Sequence, residues 1–276
     1  MILDFVKMSP AENMTVFIIN KLDRKDHIRI AKKLMKNSSI GCEQVGFIEE
    51  SLNGSSLRLQ MMGGEFCGNA SRSFAAYMVH KRYPMILKEK EGSYLIPLEV
   101  SGLEKELIIK VKETPTENIY YSSVIMPLPE RIEEEEFIIN DKSINSTRVD
   151  FPGITHYIVD NSQIGNRPLF FQLVKDKMKE KNYDAFGIMY YDFQRSYLEP
   201  LVYVKDTDTL IWERSCASGT CALEVSMSHK IKGSINYEIE QPGGTLGVHV
   251  VYENNTVSSI SLDGLVEIVA EGKLYI

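Results

Sequence analysis

At 276 residues the chain has room for one large domain or two of ordinary size, and 43% hydrophobic with 25% charged residues is the balance of a globular protein with a sizeable core. No apolar run approaches membrane-spanning length, and the opening MILDFVKM lacks the regions of a secretory signal, so a cytoplasmic protein without a membrane partner is expected. A formal net charge of -7 with scattered basic residues argues against nucleic acid as a partner.

In chain order, FVKMSPAENMTVFIIN reads as a strand, a turn over Pro10 to Asn13, and a second strand rich in β-branched and aromatic residues. Asn13 then lies at a loop end. Asp26 serves as an N-cap for HIRIAKKLMKN, whose Ile30 and Leu34 share one helical face, and that helix stops at Asn37-Ser38-Ser39. Residues 45 to 62 and 94 to 111 alternate like strands, with Asn53-Gly54 marking a hairpin turn. Between them, GGEFCGNASRSFAAYMVHKR offers glycines, Cys67, a short polar turn and a helical run with Phe74, Ala75 and Met78 facing inward. Cys67 therefore sits where a loop enters a helix.

The polar stretch from Pro115 to Asn118 marks a domain boundary, after which IYYSSVIMPL opens a fresh set of strands. Asn166-Arg167-Pro168 forms a cap and first turn for the helix LFFQLVKDKMKEK, the counterpart of the helix at 26 to 36. Strands in PLVYV and TLIWE lead into RSCASGTCALEVSMSHK, which repeats the earlier arrangement of cysteine, small residues and helix, with Leu223 and Met227 one turn apart. The two cysteines lie 149 residues apart (216 minus 67), a little over half the chain, which suits two related α/β halves.

The four cysteines, at 42, 67, 216 and 221, form no CxxC pair and have no histidine at metal-ligand spacing, so no metal is expected. In a reducing compartment they are buried thiols or reactive ones. Cys221 falls inside a predicted helix and reads as core, while Cys42 lacks the loop-to-helix setting and is available to pack beside a site. A single cysteine before a helix is usually structural, but two matched ones suit proton transfer. Inverting an α-carbon needs a base on one face, an acid on the other and stabilisation of the carbanion, and a thiolate and thiol can exchange the first two roles. Helix N-termini, with Gly68-Asn69 and Ala217-Ser218 as amide donors, would hold the substrate carboxylate and lower a thiol's pKa, and exclusion of water would restore its basicity.

At these residues the chain resembles the diaminopimelate epimerase family of pyridoxal-independent racemases. EFCGNASR at 65 to 72 is similar to its Cys-Gly-Asn segment, SCASGTCA at 215 to 222 to its Cys-Gly-Thr-Gly segment, and FVKMSPAENMTVFII to its opening motif. The matches run from residue 5 to the end. The resemblance implies an α/β (α+β) fold of two pseudo-symmetric domains, each a mixed curled sheet around a central helix: residues 1–118 with 265–276, and residues 119–264. It implies an active site in the cleft between them, Cys67 and Cys216 as acid and base, Asn13 as a substrate-binding residue, Glu43-Gln44 in place of an Asp-Gln pair, no cofactor, and a homodimer.

Departures from the family narrow the substrate. Ile154 stands in GITHYIV where an asparagine of the distal-carboxylate site belongs, AFGIMYY lacks another, and the connection to the second cysteine is shortened to Glu213-Arg214-Ser215-Cys216. The combination of CEQVGFIEE, GGEFCGNA, PLVYV with LIWERSCASGT, and EQPGG is more similar to the histidine racemases of staphylopine-type metallophore synthesis, which implies histidine as the small-molecule substrate. Glu43 and Glu213 either bind the substrate's ammonium or imidazole N–H, or merely cap helices and face solvent. The shortened loop leaves open whether Arg214 faces the cleft. His156 reads as a hydrogen-bonded structural residue, QPGGTLGV as a strand-to-strand turn and the glutamates at 133 to 136 as solvated surface. The rivals are a diaminopimelate or lanthionine epimerase and a catalytically silent amino-acid-binding protein.

Overall fold

The computed structural model describes residues 1–36, 38–52, 57–181, 183, 185–205 and 208–276; the expected Asn53-Gly54 turn and Asn37 lie outside the described residues. Two compact units are present, Met1–Ile125 with Leu262–Ile276, and Met126–Ser261.

The first unit contains β1 (Ile2–Ser9), β2 (Thr15–Ile18), α1 (Arg24–Leu34), β3 (Gln44–Glu50), β4 (Leu57–Met61), α2 (Gly68–His80), β5 (Leu87–Lys90), β6 (Ser93–Val100), β7 (Leu107–Glu113) and β8 (Ile119–Ile125). The second contains β9 (Arg131–Ile139), β10 (Lys142–Phe151), β11 (Ile154–Asp160), α3 (Arg167–Lys179), β12 (Ala185–Asp192), β13 (Tyr197–Val204), β14 (Thr209–Trp212), α4 (Ala217–Ile231), β15 (Ile235–Gln241) and β16 (Gly244–Glu253). The last strand, β17 (Thr256–Tyr275), starts in the second unit and finishes in the first, where it pairs antiparallel with β1.

Within the first unit, β1 pairs with β2 antiparallel, β2 with β3 parallel, β3 with β4 antiparallel and β4 with β6 parallel. The antiparallel pairs β6–β7 and β7–β8 follow, and β8 returns to β17, so the sheet closes on itself. Both parallel pairs are joined by a crossover helix, as parallel neighbours require. The first crossover, α1, is amphipathic and buries His27, Ile30, Ala31 and Leu34. The second, α2, is buried at every residue from Gly68 to Val79, because the curled sheet surrounds it. Phe74 packs edge-on to Phe17 of β2 with ring centroids 5.3 Å apart.

The second unit repeats the order of pairing. β10–β11 is antiparallel, β11–β12 parallel across α3, β12–β13 antiparallel, and β13 meets β15 in parallel across α4. Helix α3 buries Phe170, Val174 and Met178, spaced four residues apart, and Asn166 caps it by accepting from the Leu169 N–H at 3.0 Å. Helix α4 is central like α2, with contacts to β10, β11, β12, β15 and β16. The fold is thus mixed α+β and sheet-dominated, built from one strand-helix pattern used twice.

Three local readings need correction. Helix α1 begins at Arg24 behind Asp23, and Asp26 sits in its first turn, where a carboxylate still favours the positive helix end. Strand β8 hydrogen-bonds to β7, so the chain changes unit after Ile125 rather than after the polar stretch ending at Asn118. The glutamate run is not uniformly solvated. It lies in β9, where alternation exposes Glu134 and Glu136 while Glu133 and Glu135 reach the buried Arg148 on β10, and Glu135 also meets Lys177 and Lys181.

Candidate active site

In the first unit Cys67 is the N-cap residue of α2, in extended conformation (φ -131°, ψ 110°), and its sulfur accepts from the Ala70 N–H at 3.4 Å. Sulfur at this position sits against unpaired amides and partial positive charge, which favours the thiolate. The thiol donates to Gln44 Oε1 at 2.9 Å. Asn69, in the first turn, donates to Asn13 Oδ1 at 3.3 Å, and Asn13 donates to Glu43 Oε2 at 2.5 Å. The fold thus gathers Asn13, Glu43, Gln44, Cys67, Gly68 and Asn69 around one helix start. The reason lies in the topology: β2 and β3 are parallel neighbours, so the residues at their entrances, Asn13 and Glu43-Gln44, fall side by side.

The second unit builds a comparable junction. Cys216 is the N-cap residue of α4 (φ -122°, ψ 109°) and is 5% exposed. Its sulfur lies 3.7 Å from Ser218 Oγ, and Ser218 in turn bonds His156 Nε2 at 2.9 Å. Burial, the Glu213 charge and a hydrogen bond to the Glu213 carboxylate push the Cys216 thiol well above its ordinary range, while the Gly219 N–H and the Ser218 hydroxyl pull the other way. Cys216 therefore rests as a protonated acid. Ala217 is buried in the first turn. Arg214 is exposed and donates to the Pro242 carbonyl at 2.7 Å, tying it to the β15–β16 turn.

His156 is fully buried, and burial holds its imidazole neutral by lowering its pKa to about 3. Its contact with Ser218 makes it more than an isolated core histidine. Cys42 belongs to the core around α1, and burial pushes its thiol up to about 12, which makes it inert. Cys221 is also fully buried. Among the described residues, no group of three His, Cys, Asp or Glu side chains is placed to hold a metal ion, and no helix is long and apolar enough to cross a membrane.

Several supporting residues escaped sequence reasoning. Ser101 accepts from the Met61 N–H at 2.9 Å and donates to the Glu65 carbonyl at 2.6 Å, fixing the approach to Cys67. Gly102 follows at φ +77°, and a β-carbon there would lie 2.4 Å from the Phe66 backbone nitrogen. Only glycine suits both demands. Gln241 accepts from the Cys216 N–H at 2.9 Å and donates to Thr220 Oγ1 at 3.0 Å, while Thr220 donates to the Cys216 carbonyl at 2.6 Å. This triangle clamps the cysteine backbone. The available signal is EQPGG, which carries part of the resemblance and reads locally as a turn, and the glutamine before a hairpin gives no hint of a partner 25 residues away.

Comparison with known proteins places the chain. The family model described as the histidine racemase CntK N-terminal domain matches residues 2–275. The chain belongs to this family. It is 37% identical over 280 residues to a histidine racemase of Fusobacterium nucleatum subsp. nucleatum, covering 100% of this chain and 98% of the relative. Similarity to a histidine racemase of Staphylococcus aureus is 30% over 280 residues, covering 100% and 98%. Among solved structures, a hydroxyproline epimerase from Agrobacterium vitis with bound trans-4-hydroxy-L-proline aligns with a TM-score of 0.71 at 9% identity, covering 99% of this chain and 92% of that one. A predicted epimerase from Pseudomonas aeruginosa aligns at 0.68 and 9%, covering 99% of both. At such low identity these two show the fold alone.

Proposed function

We propose that the chain is an isomerase that racemises histidine, one cysteine sulfur taking the α-proton while the other delivers its own proton to the opposite face, without an added cofactor. The observation that carries this reading is the matched pair of N-cap cysteines, each at the start of a buried central helix, in a chain related over its whole length to histidine racemases.

One sulfur serves each face of the α-carbon. When the Cys67 thiolate takes the α-proton, the Cys216 S–H gives its proton to the opposite face, and the reverse reaction exchanges these roles. Loss of the Cys67 proton leaves its sulfur facing the Ala70 N–H at 3.4 Å. First-turn amides of Gly68-Asn69 and Ala217-Ser218 would bind the substrate carboxylate and the charge that grows on it. Glu43 and Glu213 supply carboxylates for the substrate ammonium or an imidazole N–H. Burial is the main cause that holds Cys216 protonated, and a substrate cation beside Glu213 would offset the second, the Glu213 charge, easing loss of that proton when the opposite enantiomer is bound. Arg214, held at the β15–β16 turn, is given no part in the chemistry. The resemblance to the diaminopimelate epimerases further supports a homodimer, which sedimentation checks, and the cytoplasmic location expected from the sequence is checked by cell fractionation.

Purified protein freed of pyridoxal phosphate should exchange the α-hydrogen of histidine for solvent deuterium, lost from the proton NMR spectrum as D-histidine accumulates. Preference for diaminopimelate in an amino-acid panel would overturn the substrate, and no exchange with any amino acid would favour a binding protein. C67S and C216S should each nearly abolish racemisation, because a hydroxyl supplies almost no anion at neutral pH. Full activity in both would refute the two-sulfur mechanism.

A further inference from the structure

Arg72, one turn into α2, is a buried arginine with 0% exposure. Its guanidinium donates to the Ser122 carbonyl at 3.1 Å, the Gly264 carbonyl at 2.9 Å and Asn69 Oδ1 at 2.9 Å. From Asn69 the hydrogen bonds continue in one direction, to Asn13 Oδ1 at 3.3 Å and then from Asn13 Nδ2 to Glu43 Oε2 at 2.5 Å. A guanidinium can only donate and an ionised carboxylate can only accept. With those groups at its two ends, each amide between them has a single compatible orientation: Asn69 must turn its oxygen to Arg72, and Asn13 its nitrogen to Glu43.

We propose that Arg72 is a positioning residue which, through Asn69 and Asn13, sets the direction of this chain and thereby orients the Glu43 carboxylate for the cationic groups of the substrate. The link to substrate rests on the reading of Glu43 given above. The chain itself does not. A buried cation at one end and an anion at the other also polarise the intervening bonds in the same sense, strengthening each one.

Asn69→Asp tests the direction while giving Arg72 an even better acceptor, so the fold should survive. The carboxylate so introduced cannot donate to Asn13, whose amide can then give its nitrogen to residue 69 or to Glu43 but not to both. Two acceptors then face each other. Glu43→Gln restores a donor at that contact, so in thermal unfolding N69D should be destabilised and E43Q should recover stability in the N69D background while lowering it in the wild type. The Asn13 side-chain amide resonances, assigned by an N13D variant, should move in N69D and return in the double variant. In steady-state assays N69D should raise the histidine KM about tenfold, the scale of one hydrogen bond to a charged group, with a smaller effect on kcat. Additive effects of N69D and E43Q on stability would overturn the proposal, as would a normal KM in folded N69D. Full histidine affinity in E43Q alone would instead refute the assignment of Glu43 to the substrate, whatever the cycle shows.

Discussion

Glu224 lies on α4, eight residues beyond Cys216, and is 0% exposed, with neither carboxyl oxygen hydrogen-bonded among the described residues. Burial raises its pKa from 4.5 to about 8, so at neutral pH it is a protonated acid inside the second unit. Because the folded value lies above the unfolded one, the folded state holds the proton more tightly across this window. The contribution of Glu224 to unfolding stability is therefore highest below pH 4.5, falls as the pH rises toward 8, and levels off above it. The interval from 4.5 to about 8, at 1.36 kcal/mol per pH unit, corresponds to about 5 kcal/mol. Glu224→Gln removes the titration while nearly preserving shape. Urea denaturation at pH 5, 7 and 9 should show the wild type losing stability relative to the variant by several kcal/mol across the series, within the total above. Helix α4 carries Cys216, so inactivation at high pH should also slow in the variant. A wild-type minus variant difference that stays constant from pH 5 to 9 would refute the reasoning, because it would mean that the carboxyl ionises with water or a cation at hand.

Other substitutions test the scaffolding around each cysteine. Gly102→Ala should cost about 1 to 3 kcal/mol in thermal unfolding, from a left-handed backbone and the clash with Phe66, and should lower kcat by displacing the approach to Cys67. Gly219→Ala places a β-carbon 2.2 Å from Met189 Sδ and 3.2 Å from Cys216 Sγ, so Met189 must move aside, the sulfur must give by a few tenths of an ångström, and kcat should fall. Wild-type kcat in that variant would mean that Met189 takes up the whole displacement and the Cys216 sulfur keeps its place. Gln241→Leu leaves the buried Cys216 N–H without its 2.9 Å acceptor, which should cost about 1 to 3 kcal/mol by calorimetry.

Features with a local cause were legible in the chain itself. Asn166 before Arg167-Pro168, the apolar spacing of Ile30 and Leu34, and the small residues after Cys67 and Cys216 each follow from interactions within one or two turns. Capping and periodicity need no distant partner, so both cysteines and the repeated strand-helix pattern could be read before any coordinates. What surrounds them could not. Ser101 meets Glu65 across 36 residues, Gln241 meets Cys216 across 25, and Asn69 meets Asn13 across 56. Those partners are decided by which strands lie parallel, and hydrogen bonds between remote residues leave no period in the sequence. The same holds for charge: nothing local marks the glutamate at position 224 as buried, and it is the strands packed around α4 that take its water away.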